Sequence, residues 1–187
     1  MECADIAVAV LAAGQARRFG SDKLMYPISG VPLGIHIAKT VKSMGFGWRF
    51  AVCQADSGLA QLIGPIDFTI IDNATPEIGQ AHSLHLAVQA AEQTDAKALL
   101  LALADMPFVT QRHLAAIAAG EELTASSFGN APMPPALFPR SYWPMLLATD
   151  GDAGARQMLR NANIVTATPD ELSDIDVVAD LPRPQSQ

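Results

Sequence analysis

Cysteine is scarce: Cys3 and Cys53 are the only two in 187 residues. They lie far apart and neither belongs to a CxxC pair, so a structural zinc site and a disulfide framework are both excluded as readings. Both thiols read instead as small apolar groups in a reducing compartment. Basic residues are also few. Twelve Lys and Arg stand against 19 Asp and Glu, giving a formal net charge of -7 and a pI near 4.9. Nucleic acid or an anionic membrane surface would need a positive face, so neither is expected as the main partner. An anionic small molecule needs only a local cationic pocket and stays open. No apolar run approaches the roughly 18 to 20 residues that span a bilayer. No basic stretch followed by an apolar run and a cleavage site opens the chain, so the expected location is the cytoplasm.

What is present suits a globular α/β protein. Hydrophobic residues make up 50% and charged residues only 17%, the opposite of a disordered composition. The length suits one domain, expected over 1–181, with a polar, proline-containing tail at 182–187 expected to be disordered. Ile6 to Ala12 and Ala98 to Leu103 are continuous apolar runs, the pattern of strands buried on both faces. Phe50 to Cys53, Phe68 to Ile71 and Ile164 to Ala167 read as further strands. Leu123 to Ser127 and Ala136 to Phe138 are weaker ones. Between them, helical spacing runs over Leu33 to Met44, Ser57 to Ile63, Gly79 to Gln93, Gln111 to Ala119, Ser141 to Leu147 and Ala153 to Leu159. Ser57 and Thr110 are placed to cap the helices they precede. This alternation predicts a three-layer α/β/α, Rossmann-like sandwich with a mostly parallel sheet. Ligands of such sheets bind beyond the carboxyl ends of the strands.

Two strands end in conspicuous residues. The first runs into L-A-A-G-Q-A-R-R-F-G-S-D-K, from Leu11 to Lys23. Ala12, Ala13 and Gly14 are small enough for close backbone approach, and Gly14 and Gly20 can take positive φ. Inward-turned N–H groups of such a loop form an anion site. Arg17, Arg18 and Lys23 add three cations to a short segment of an acidic chain. The loop is not the standard P-loop, whose Lys directly follows the second glycine; here Lys23 comes three residues after Gly20. It is not GxGxxG either. The apolar run at Ala98 ends in Asp105-Met106-Pro107. Asp105 is open to two roles, metal ligand or cap of the next helix. His82 and His85, three apart on one helix, read as surface or packing residues without a third ligand.

Leu11-Ala12-Ala13-Gly14 with Arg18, Gly20 and Lys23 resembles the signature loop of sugar-1-phosphate and molybdopterin nucleotidyltransferases. Gly79-Gln80-Ala81-His82-Ser83-Leu84, Asp105-Met106-Pro107, Gly151-Asp152-Ala153-Gly154-Ala155-Arg156 and Asp174-Ile175-Asp176 with Asp180-Leu181 resemble further motifs of the molybdopterin group, in the same order. Within that group the likeness is to the cytidylyl-transferring members. The resemblance implies the fold of nucleotide-diphospho-sugar transferases, and transfer of CMP from CTP to a phosphate of molybdopterin or molybdenum cofactor, with Mg²⁺. It assigns Lys23, Arg18 and Asp105 to catalysis. Leu11, Ala12, Ala13, Gly14, Gly20, Gly79 and Ser83 fall to the nucleotide, and Asp152 and Arg156 to the acceptor. Asp105 and Asp176 fall to the metal. An apo-molybdoenzyme or its chaperone is the implied recipient of the product. Ser83 and Arg156 also have plain readings, as a first-turn helix residue and a solvated helix residue. Departures from the family pattern fall at Ala104, His82 and Met133, and Met133 is expected near the acceptor. A nucleotidyltransferase with another acceptor or nucleotide, a nicotine-blue-type oxidoreductase and a non-catalytic molybdopterin carrier are the alternatives.

Overall fold

The structure is a computed structural model that describes residues 1–12, 22–129, 131–149 and 154–175. β1 (Ile6–Leu11) is buried at every position. A two-residue ribbon, β2 (Pro27–Ile28) with β3 (Val31–Pro32), turns through Ser29 and Gly30, both at positive φ, as a tight hairpin turn of the primed type requires. Then come α1 (Leu33–Lys42), β4 (Trp48–Cys53), α2 (Gly58–Ile63), β5 (Thr69–Asp72), α3 (Gln80–Glu92) and β6 (Ala98–Leu103). The second half adds α4 (Gln111–Ala118), β7 (Thr124–Phe128), β8 (Ala131–Pro139), α5 (Trp143–Leu147), α6 (Gly154–Leu159) and β9 (Asn163–Thr166). The two expected caps are in place. Ser57 Oγ accepts from the Ala60 amide at 3.2 Å, and Thr110 Oγ1 accepts from the His113 amide at 3.1 Å.

Seven strands form one sheet in the order β5-β4-β1-β6-β8-β7-β9. β8 is antiparallel to both its neighbours, and the other pairs are parallel. The mostly parallel α/β/α sandwich expected from the sequence is therefore the observed architecture. Side chains alternate along a strand, and β1 divides its residues accordingly. Ile6, Val8 and Val10 pack with Ile37, Leu59 and Leu114 from α1, α2 and α4. Ala7, Ala9 and Leu11 pack with Leu84, Trp143 and Leu159 from α3, α5 and α6.

Charged and polar groups lock the layers. Arg140 donates to the carbonyls of Thr94 at 2.9 Å, Ala96 at 2.8 Å and Glu92 at 3.3 Å, which satisfies the end of α3. Its guanidinium lies 4.6 Å from the Trp143 ring centroid, a contact worth about 0.5–1 kcal/mol at such a site. Trp143 is buried and its indole N–H donates to Phe138 O.

On α4, His113 is buried, with Nε2 2.8 Å from Ser126 Oγ. Burial pushes its pKa below the ordinary 6.5, opposed by the Glu171 carboxylate. The unfolded chain therefore takes up this proton first as pH falls. The associated stability is fully present above about pH 6.5 and is lost as pH drops through that value towards the folded pKa. Urea midpoints should fall between about pH 7.5 and 5.5, and less so in His113→Gln. An equal fall in that variant would assign the acid sensitivity to other groups.

Candidate active site

The carboxyl ends of β1, β4, β5 and β6 share one edge of the sheet, and the crossover from β5 to β6 passes to the far side of β1. The crevice between β1 and β6 is thus the topological switch point where ligands bind in such sheets. Pairing continues past both strands. The Ala12 amide donates to Val52 O at 2.9 Å and the Ala104 amide to Leu11 O at 3.0 Å. Asp105 consequently stands beside the start of the loop that leaves Ala12.

Lys23 opens a single 3-10 turn, Lys23–Met25, whose cap Asp22 accepts from the Leu24 amide at 3.2 Å. Lys23 Nζ lies 3.0 Å from Asp105 Oδ2, with side-chain exposures of 11% and 26%. The chain thus pairs across 82 positions the cation and the carboxylate singled out in the sequence. The pair uses one carboxylate oxygen. Among the described residues the other, Asp105 Oδ1, is buried without a hydrogen-bond partner. A buried acceptor left unmet costs about 1–3 kcal/mol, so this oxygen is poised for a ligand. Asp105 does not cap the next helix; Thr110 does. The carboxy-terminal segment closes the back of the site. Ile175 donates its amide to Asp105 O at 3.1 Å, and Leu172 and Ile175 are buried.

Gly79 sets the entry of α3 at φ 116°, ψ −178°, a conformation open essentially to glycine alone. Gly79→Ala should cost about 1–3 kcal/mol in chemical denaturation; an unchanged midpoint would show that the loop relaxes freely. The cap residue of α3 is this glycine, which has no side chain to bond the first turn. Ser83 is buried and its Oγ accepts from Asn73 Nδ2 at 3.0 Å. Asn73 is itself fully buried, and its Oδ1 accepts from the Thr75 amide. Ser83 therefore ties the loop after β5 to α3, one step back from the cleft surface. His82 Nε2 is 3.3 Å from Thr75 Oγ1 in the same junction.

A cleft of about 630 Å³, counting its open mouth, lies at the Leu11 and Leu103 ends of β1 and β6, and neither Lys23 nor Asp105 is among its lining residues. Leu11, Gln80, Leu84, Leu103, Pro134, Phe138 and Leu159 are among its walls, with exposed Arg156 at the edge. Leu11 and Arg156, expected around the nucleotide and acceptor, are thus brought to one cavity. Met133 is not among its lining residues; it packs against the core on the α1, α2 and α4 face, and Pro134 takes the cleft position. Ala13, Gly14, Arg17, Arg18, Gly20, Asp152 and Asp176 lie outside the described residues, as does the tail expected to be disordered. Among the described residues no three His, Cys, Asp or Glu side chains cluster as a preformed metal site, and no helix is long and apolar enough to cross a membrane.

Sequence reasoning missed the role of Asn73 and the His113–Ser126 contact. An Asn directly after a strand was the available signal for the first. The second is a non-local contact without a local signature.

A family model for the MobA-like NTP transferase domain matches residues 8–168. The chain belongs to this family. The purine catabolism protein PucB of Bacillus subtilis (strain 168) is 30% identical over 185 residues, covering 94% of this chain and 90% of PucB. Among solved structures, the nucleotidyl transferase Mth528 of Methanothermobacter thermautotroptrophicus superposes with TM-score 0.78 at 23% identity, covering 94% of this chain and 93% of its own. Molybdopterin-guanine dinucleotide biosynthesis protein A of Archaeoglobus fulgidus gives 0.64 at 20%, covering 94% of each. The Lys23–Asp105 pair therefore sits in a MobA-like nucleotidyltransferase fold, at the strand ends where such sheets take their ligands.

Proposed function

We propose that this MobA-like protein transfers CMP from CTP to a phosphate of molybdopterin or its molybdenum form. The observation that carries the proposal is the Lys23–Asp105 pair at the switch point, with one buried carboxylate oxygen unmet among the described residues. A phosphate oxygen of the acceptor attacks the α-phosphorus in line. The bond from that phosphorus to the bridging oxygen breaks, and pyrophosphate leaves with the electron pair. No covalent link to the protein forms, so positioning and charge stabilisation are what the protein supplies.

Asp105 suits Mg²⁺, a hard cation satisfied by one or two carboxylates plus phosphate oxygens and water. Its free Oδ1 is a donor of the right kind. A bound Mg²⁺ supplies charge neutralisation on the triphosphate. Asp176 is the second ligand implied by the family motif, and the residue before it, Ile175, donates its amide to the Asp105 carbonyl. Once Asp105 is engaged, Lys23 is released to donate to phosphate oxygens, with Arg18 implied beside it. Arg156 at the cleft edge would take the acceptor phosphate, and Asp152 of the same motif would accept from hydrogen-bond donors of the acceptor. The apolar walls at Leu103, Pro134 and Phe138 would pack on the acceptor's fused rings. The small Leu11–Ala12–Ala13–Gly14 run, with Gly20, Gly79 and the Ser83-anchored junction, would hold the nucleotide. The molybdopterin-guanine relative supports the acceptor class, and the LAAG form of the loop supports CTP over GTP. An apo-molybdoenzyme or its chaperone, in the cytoplasm, would receive the product.

Equilibrium binding with Mg²⁺ tests the nucleotide choice. CTP should bind at least about tenfold more tightly than GTP, a difference of about 1.4 kcal/mol. The reverse order would make the protein a guanylyltransferase, and binding of NADPH without any triphosphate would turn it into an oxidoreductase.

A further inference from the structure

We infer that Ser126, held by His113, is a positioning residue for the acceptor wall of the cleft. This inference rests on the transfer reading above. β7 and β8 pair Ala125 with Ala136 but Ser126 with Met133. Pro134 and Pro135 are therefore extra residues in β8, opposed by nothing in β7. Such bulges re-aim side chains beside functional sites, and here Pro134 is turned to the cleft.

The bulge has an anchoring problem. Neither proline carries an N–H, so neither can donate to a ladder. The Pro135 carbonyl is instead held from the side: Ser126 Oγ donates to it at 2.7 Å. Ser126 is fully buried. A hydroxyl has one hydrogen, and this one is committed to Pro135. The contact of 2.8 Å between Ser126 Oγ and His113 Nε2 is then a hydrogen bond from the imidazole N–H to the hydroxyl oxygen. His113 is fixed in turn, because its amide donates to Thr110 Oγ1 and the residue is only 4% exposed. A directed relay thus runs from α4, on the sheet face opposite the cleft, through Ser126 to the bulge that carries Pro134. A well-packed apolar residue at position 126 would satisfy the core equally well but leave the bulge carbonyl unmet. The polar relay is explained by the wall it sets.

The test uses the full chain, with CTP, Mg²⁺ and molybdopterin. In Ser126→Ala, KM for molybdopterin should rise on the order of tenfold while KM for CTP stays within about twofold. Amide exchange at Met133 and Ala136 in the nucleotide-free protein should quicken on the order of tenfold, with β1 and β6 unchanged. His113→Met should behave like Ser126→Ala. His113→Gln keeps a donor and should return both readouts towards wild type. Equal rises in both KM values, unchanged exchange at the bulge, or a His113→Gln as impaired as His113→Met would overturn the inference. Should Ser126→Ala not fold, the two His113 variants decide it on the same readouts. A wild-type protein that transfers nothing to molybdopterin refutes the transfer reading instead, and the exchange measurement still decides whether the relay holds the bulge.

Discussion

Replacing Asp105 by asparagine should lower the rate of pyrophosphate release by about 10³-fold and remove its dependence on Mg²⁺. The substitution keeps the shape of the side chain and an oxygen facing Lys23 Nζ, 3.0 Å away in the wild type. It removes the negative charge and one of the two acceptor oxygens. The buried Oδ1, unmet among the described residues, is the oxygen that would meet the cation, and an amide nitrogen there would repel one. A Mg²⁺ titration of initial rates separates this role from simple damage. The wild type should saturate, and Asp105→Asn should stay flat across the same range. A variant with the wild-type midpoint and rate would remove Asp105 from the metal site. Thermal protection gives a second view: Mg²⁺ with CTP should raise the melting temperature of the wild type and leave that of Asp105→Asn nearly where it was.

Lys23→Ala should cost about two to three orders of magnitude in turnover with the fold retained. Its ammonium is nearly buried, and it already faces the carboxylate that would exchange it for a metal. With Asp105 holding Mg²⁺, Lys23 would be able to donate to the phosphate oxygens of a bound triphosphate. Removing it leaves the negative charge growing on the leaving group without that donor. The metal-free protein should also lose about 1–3 kcal/mol of stability, because Asp105 would then lose its Lys23 partner. Added Mg²⁺ should return part of that stability but not the rate. Lys23→Arg should recover little, since a planar fork does not replace a compact point charge in so closed a setting. Unchanged pyrophosphate release in Lys23→Ala would sink the assigned role.

The parts of this site that were legible in the sequence are those with local signatures. β1 and β6 are apolar at every position and could only be central strands. Their register, Leu11 beside Leu103, carries the two motifs that follow them to the same place. β8 was legible only from Ala136 to Phe138, because Pro132, Pro134, Pro135 and Pro139 argue against a strand. The sheet accommodates them by placing two in a bulge, where no N–H is needed. The β2–β3 ribbon escaped notice because a two-residue strand has no periodicity. Ser83 was found as a motif position, but its buried bond to Asn73 depends on a contact between the end of β5 and α3. The cleft walls come from β1, α3, β6, β8 and α6, and no local pattern announces that Leu11, Leu84, Leu103 and Leu159 will meet.

Transfer of label from CTP carrying a radioactive α-phosphate to molybdopterin tests the central claim most directly. Incubation with Mg²⁺ should move the label into a molybdopterin product, with one pyrophosphate released for each label transferred and none released when molybdopterin is omitted. Label that stays in CTP, or pyrophosphate release that does not depend on molybdopterin, would contradict cytidylyl transfer at the Lys23–Asp105 site.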